Sequence, residues 1–111
     1  MKIAVPASGP SGLESVVHGH VATAPVFVIV DMESGEVTAV PNPGLKEGDG
    51  SLSPLGVVRS LKVDALICAG IGRWAIRLIE AAGTKVYIAH GGLVADAIED
   101  FKAGRLRRAG K

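Results

Sequence analysis

Residues 63–83 decide the fold: Val63-Asp64-Ala65-Leu66-Ile67-Cys68-Ala69-Gly70-Ile71-Gly72-Arg73-Trp74-Ala75-Ile76-Arg77-Leu78-Ile79-Glu80-Ala81-Ala82-Gly83. Val63 to Ala69 is an apolar run of strand length. Ala75, Leu78, Ile79 and Ala82 then fall at i, i+3, i+4 and i+7, one face of a helix closed by Gly83. Lys85 to Ala89 is the next strand. Val94, Ala97, Ile98 and Phe101 repeat the helical spacing, and Gly104 ends it. This strand–helix–strand–helix order predicts parallel strands joined by right-handed crossovers.

The first half reads differently. Lys2 to Pro6 is a short strand that stops at a Pro/Gly/Ser cluster, Pro6 to Gly12. Residues 13–24 have no clean period and read as loop. Val26-Phe27-Val28-Ile29-Val30 is a β-branched apolar strand bounded by Pro25 and Asp31. Glu33-Ser34-Gly35-Glu36 is a turn in which Gly35 can take positive φ, and Val37 to Val40 returns antiparallel. Residues 41–50 hold two prolines and three glycines and read as loop. Ser53-Pro54 starts a helix, serine as N-cap and proline at the first helical position, with Leu55, Val58 and Leu61 following. The expected fold is α/β and ribonuclease H-like: three layers, a mixed five-stranded sheet in the order 3-2-1-4-5, flanked by three helices.

With 111 residues, 48% hydrophobic and 21% charged, the chain predicts one globular domain over 1–111 with a basic tail at 105–111. A short basic tail is ordinarily solvated, and a net charge of +1 gives no global reason to expect nucleic acid. One cysteine excludes an internal disulfide and a CxxC zinc site, which favours a reducing cytoplasm. The N-terminal apolar stretch breaks at Pro6, too short for a signal-peptide core. No apolar run approaches the ~20 residues that span a membrane.

In the expected topology the carboxyl ends of four strands share one edge, where open α/β sheets bind ligands. His18-Gly19-His20 lies on the first loop there, Asp49 on the second and His90 on the last; Cys68 ends the fourth strand. Imidazoles two residues apart in extended chain point the same way, and imidazole both ligates metals and moves protons near neutral pH. His18, His20 and His90 are therefore the candidate metal ligands. Cys68, Gly70 and Gly72 join them as candidate cofactor-binding residues, the thiol by chemistry and the glycines because backbone can approach a ligand closely there. Gly70-Ile71-Gly72 lacks the third glycine of a dinucleotide fingerprint and no P-loop lysine is present, so no nucleotide is expected. The topology invites a two-metal nuclease reading, but neither Ala4-Val5-Pro6 nor Ile67-Cys68-Ala69 carries the acids such a site needs. No serine–histidine–aspartate spacing is legible either. Trp74 reads as packing or a partner-facing surface residue.

These residues resemble the dinitrogenase iron–molybdenum cofactor biosynthesis family over nearly the whole chain. The likeness runs through Met1 to Pro6, His20-x-x-x-Ala24-Pro25, Phe27 to Asp31, Gly35-Glu36, Asn42-Pro43, Cys68 to Gly72 with Ala75, Ala82 to Tyr87 and Ala97 to Leu106. The family pattern His-Phe-Gly-Arg-Ala-Pro stands here as His20-Val21-Ala22-Thr23-Ala24-Pro25, which keeps the histidine and Ala-Pro and loses the centre. The resemblance implies a non-enzymatic protein that binds or carries an iron–sulfur or iron–molybdenum cluster. Its partners would then be cluster-assembly or cluster-receiving proteins. A self-assembled iron–sulfur cluster ordinarily takes four thiolates; one cysteine suits transient cargo instead. The competing reading is a metal-independent protein-interaction or regulatory domain, motivated by the altered histidine motif and the single cysteine.

Overall fold

The computed structural model describes residues 1–9, 11–41, 62–89 and 91–109. The expected helix after Ser53, the 41–50 loop beyond Pro41 with Asp49, and His90 lie outside the described residues. Six strands and two helices are present among those described: β1 (Lys2–Ala7), β2 (Val26–Asp31), β3 (Val37–Pro41), β4 (Ala65–Cys68), α1 (Arg73–Ala81), β5 (Lys85–Ile88), α2 (Val94–Lys102) and β6 (Arg107–Arg108). The sheet order is β3-β2-β1-β4-β5-β6. β1 pairs antiparallel with β2 and parallel with β4; β4 pairs parallel with β5. The ribonuclease H-like α/β class and the order of the first five strands are as the sequence predicts.

Alternation along the strands sorts side chains to two faces. Ile3, Val5, Val28, Val30, Ala65 and Ile67 pack on the face covered by α2, through Val94, Ala97 and Ile98. Ala4, Phe27, Leu66, Cys68 and Val86 pack on the other, against Ile79 of α1. Helices on both faces explain why β4 is buried throughout and reads as one unbroken apolar run. Edge strand β3 is largely exposed. The β2–β3 turn has the expected glycine at positive φ, Gly35 at 80°. Asp31 Oδ1 accepts the backbone N–H groups of Glu33 and Ser34, and these bonds hold its carboxyl below the usual carboxylate range.

The sixth strand corrects the expectation of a five-stranded sheet with a solvated tail. Arg107 and Arg108 pair antiparallel with Ile88 and Tyr87. Leu106 packs on the α2 face and Ala109 on the α1 face. Glu80, on the last turn of α1, holds the corner together. Its Oε2 accepts the Val86 N–H at 2.7 Å, and its carboxylate takes Arg108 Nη2 at 2.7 Å and Nε at 3.3 Å. That pairing raises the Arg108 pKa further above its ordinary value.

Candidate functional site

The carboxyl edge is formed by the ends of β1, β4 and β5 and by the loops that leave them. The loop after β1 is held in place by backbone hydrogen bonds. Ser8 N–H donates to Val16 O, Val17 N–H to Gly92 O, His18 N–H to Pro6 O and Val94 N–H to Ser15 O, all at 2.8–3.0 Å. Single bridges join Ala7 to Val17 and Val16 to Leu93. The loop is thus a strand-like bridge between β1 and the turn before α2. It satisfies its backbone there instead of in water.

This bridge sets the two histidines apart. His18 has both ring nitrogens engaged: Nδ1 lies 3.0 Å from Ser8 Oγ and Nε2 2.9 Å from Thr23 Oγ1. Its imidazole ties the start of the loop to its end, and metal ligation would break one of those bonds. His20 is exposed in extended conformation (φ −135°, ψ 130°) just before a short 3-10 turn, Val21–Thr23, and its side chain does not cap that turn. Its ring has no hydrogen-bond partner among the described residues.

The edge is closed by Gly70. A Cβ built on Gly70 would sit 2.5 Å from the Gly19 carbonyl oxygen and 3.9 Å from His20 Nδ1. No side chain fits there, so glycine at 70 is required by the close approach of the histidine loop. Gly72 has open space around its Cβ position and is the N-cap of α1, where it brings no side chain to cap the helix. Among the described residues no side chain caps the first-turn N–H groups of α1 on this edge.

Cys68 stands differently. It is fully buried, with Sγ directed at the Tyr87 carbonyl oxygen at 3.8 Å. Burial pushes its pKa up to about 12. Thiolate is the ligating form, so the cysteine proposed as a cofactor ligand is a packed core residue in this conformation. Among the described residues no group of three or more His, Cys, Asp or Glu side chains is placed to hold a metal ion.

Sequence reasoning overlooked Ser8 and Thr23, whose spacing from His18 carries no recognisable pattern. It also assigned Arg107 and Arg108 to a tail, although Leu106 inside that basic run was an apolar marker of packing. A separate cleft of about 170 Å³, lined by residues such as Leu13, Val37 and Ile98, lies at the opposite edge and contains none of the candidate residues. No helix among the described residues is long and apolar enough to cross a membrane.

The fold and this edge define a small ribonuclease H-like domain with an imidazole displayed beside a glycine turn. The chain belongs to the dinitrogenase iron-molybdenum cofactor family, whose model matches residues 1–104. It is similar to a NifB-like protein from Thermotoga, solved by NMR, with 34% identity and a TM-score of 0.78 over 99% of this chain and 94% of that one. It is also similar to the apo form of the orange protein from Desulfovibrio gigas, with 30% identity and a TM-score of 0.82 over 97% of this chain and 92% of that one. No curated protein matches it.

Proposed function

We propose that the protein is a non-enzymatic carrier that holds an iron–sulfur or iron–molybdenum type cluster transiently at the carboxyl edge, with His20 as its attachment point. The observation that carries this reading is the contrast at His20: an exposed imidazole with no hydrogen-bond partner among the described residues, beside Gly70 and two residues from an imidazole whose ring nitrogens are both engaged. Family membership supports the cargo class. With one imidazole as the protein ligand, most of the cluster's coordination stays open for the protein that delivers or receives it. Such a carrier gives up its cargo readily.

The test is anaerobic titration of the protein with iron–molybdenum cofactor and with a preformed iron–sulfur cluster, followed by gel filtration and absorbance. Wild type retains cluster. His20→Ala retains at least about tenfold less, since even the loss of an outer-shell partner of a metal ligand costs that much. Equal behaviour of the two proteins overturns the reading. The metal-independent interaction domain is the second reading, favoured by Trp74, which is 71% exposed at the start of α1. It predicts partner capture that is indifferent to chelator and to His20→Ala but sensitive to Trp74→Ala.

A further inference from the structure

Beside the histidine loop, on the α1 face of the sheet, lies an open cavity of about 370 Å³. Its wall begins at Gly70. Among the described residues its lining is apolar at Ile71, Ile76 and Ile88 and charged at Arg73, Arg107 and Arg108. Among the described residues no carboxylate lines it.

The arginines come from separate parts of the chain. Arg73 is the first residue of α1, and Arg107 sits opposite Ile88 where β5 ends. Arg108 is neutralised by Glu80 at 2.7 Å. Arg73 and Arg107 are exposed and have no ion pair or hydrogen-bond partner among the described residues. The fold thus collects two uncompensated guanidinium groups around one hollow. Like charges on a surface repel, and the fold gains nothing from this placement unless an anion shares them. Guanidinium is a rigid planar fork that bonds oxyanions in bidentate fashion. Two unpaired forks match a group carrying about two negative charges, as a phosphoryl group does near neutral pH, better than a single carboxylate. An apolar lining with a few charged groups, in a volume of this order, is the form of a small-molecule pocket.

We infer that this arginine-lined cavity is a binding site for a small phosphoryl-bearing ligand, held by Arg73 and Arg107. Arg108 is a positioning residue: its bond to Glu80 fixes β6 and so holds Arg107 over the cavity. Arg107 and Arg108 lie beyond the 1–104 span of the family match, so the site is partly built from residues outside that shared region. The inference is independent of the cluster-carrier reading, since His20 does not line the cavity.

The experiment is an amide NMR titration with inorganic pyrophosphate at about 150 mM salt, where long-range attraction between exposed charges is largely screened. Wild type, Arg73→Ala, Arg107→Ala, Lys102→Ala and His20→Ala are compared, each first checked for a native amide spectrum. Saturable shifts are expected at Gly70, Ile71, Arg73, Arg107 and Ala109. Either arginine substitution should weaken binding about tenfold, the effect of losing one charge-assisted contact. Lys102→Ala and His20→Ala should leave it unchanged. Shifts that fail to saturate, or that move Lys102 and Arg105 as much as the cavity, overturn the site. If Arg73→Ala and Arg107→Ala bind as wild type does, the assignment of its ligands is overturned. A response to molybdate with none to pyrophosphate overturns the phosphoryl class. Should Arg107→Ala lose its native spectrum, Arg107→Gln tests the same contact with the side chain's length largely kept.

Discussion

The histidine loop and strand β4 each bring a ligand-type side chain to the carboxyl edge, and they deliver it in opposite states. The loop, residues 8–20, is polar, is held by backbone hydrogen bonds to β1 and to the turn before α2, and leaves His20 exposed. β4 is apolar on both faces and draws Cys68 fully into the core. Soft-metal chemistry favours the thiol, yet the fold presents the imidazole. A ligand is made by placement as much as by residue type: desolvation keeps a buried thiol protonated, while an exposed imidazole keeps a lone pair to offer.

Gly70 is where the two regions meet, and substitution there should have the largest effect. Gly70→Ala puts a methyl group 2.5 Å from the Gly19 carbonyl oxygen, backbone against side chain with no flexible partner to yield. The expected loss is up to about 3 kcal/mol of stability, read by denaturant melts, as for other overpacked sites. Displacement of the His18–His20 segment should abolish cluster retention as well. A fully stable, cluster-retaining Gly70→Ala protein would show that the loop does not depend on this contact.

Cys68→Ser sharpens the contrast from the other side. It places a hydroxyl in an apolar setting and should cost about 2 kcal/mol. Cluster retention by the folded fraction should stay at the wild-type level, because the thiol is not a ligand in this reading. Selective loss of retention with unchanged stability would place the thiol in the site after all.

The thiol can also be interrogated directly. Its pKa of about 12 lies above the ordinary value of 9.0, so at pH 8 the thiolate population is roughly a thousandfold lower than in an unfolded chain. Iodoacetamide should label Cys68 slowly in the native protein and readily in denaturant. The sign of the pH dependence follows. The folded state prefers the protonated thiol, so its stabilising preference is fully present below about pH 9 and is lost as pH rises through about 12. Native labelling as fast as in denaturant would contradict the burial.

The smallest effects separate the two histidines. His18→Ala removes two hydrogen bonds that close the loop and should cost about 1 kcal/mol, with a partial loss of cluster retention through the looser His20. His20→Ala removes an exposed ring with no hydrogen-bond partner among the described residues and should change stability by less than about 0.5 kcal/mol while abolishing most retention. Thermal melts beside gel-filtration retention give both readings, and reversal of the pattern would exchange the roles of the two residues.

Much of the fold was legible because it is written in local chemistry. Val26 to Val30 alternates between two buried faces, Gly35 supplies the turn, and the spacing of Ala75 to Ala82 and of Val94 to Phe101 marks one apolar stripe per helix. Those patterns, in their order along the chain, determine the α/β class and the strand order, since crossover handedness leaves few arrangements. The family likeness was legible in the same way, and it directed attention to His20.

The tertiary structure alone decided the rest. β6 is two residues long, too short for any periodicity, and exists because β5 offers an unpaired edge and Glu80 holds Arg108. His18 and His20 look equivalent in a two-residue repeat, but only the folded loop shows one imidazole spent on Ser8 and Thr23 and the other exposed without a hydrogen-bond partner among the described residues. Gly70 and Gly72 look alike as permissive turn residues, yet only Gly70 is pressed by a carbonyl from a loop fifty positions away. Arg73 and Arg107 became neighbours of one cavity through the closure of α1 and β6 over the sheet edge. Local pattern determines which segments are strands and helices; what a side chain can do depends on partners that distant segments bring to it.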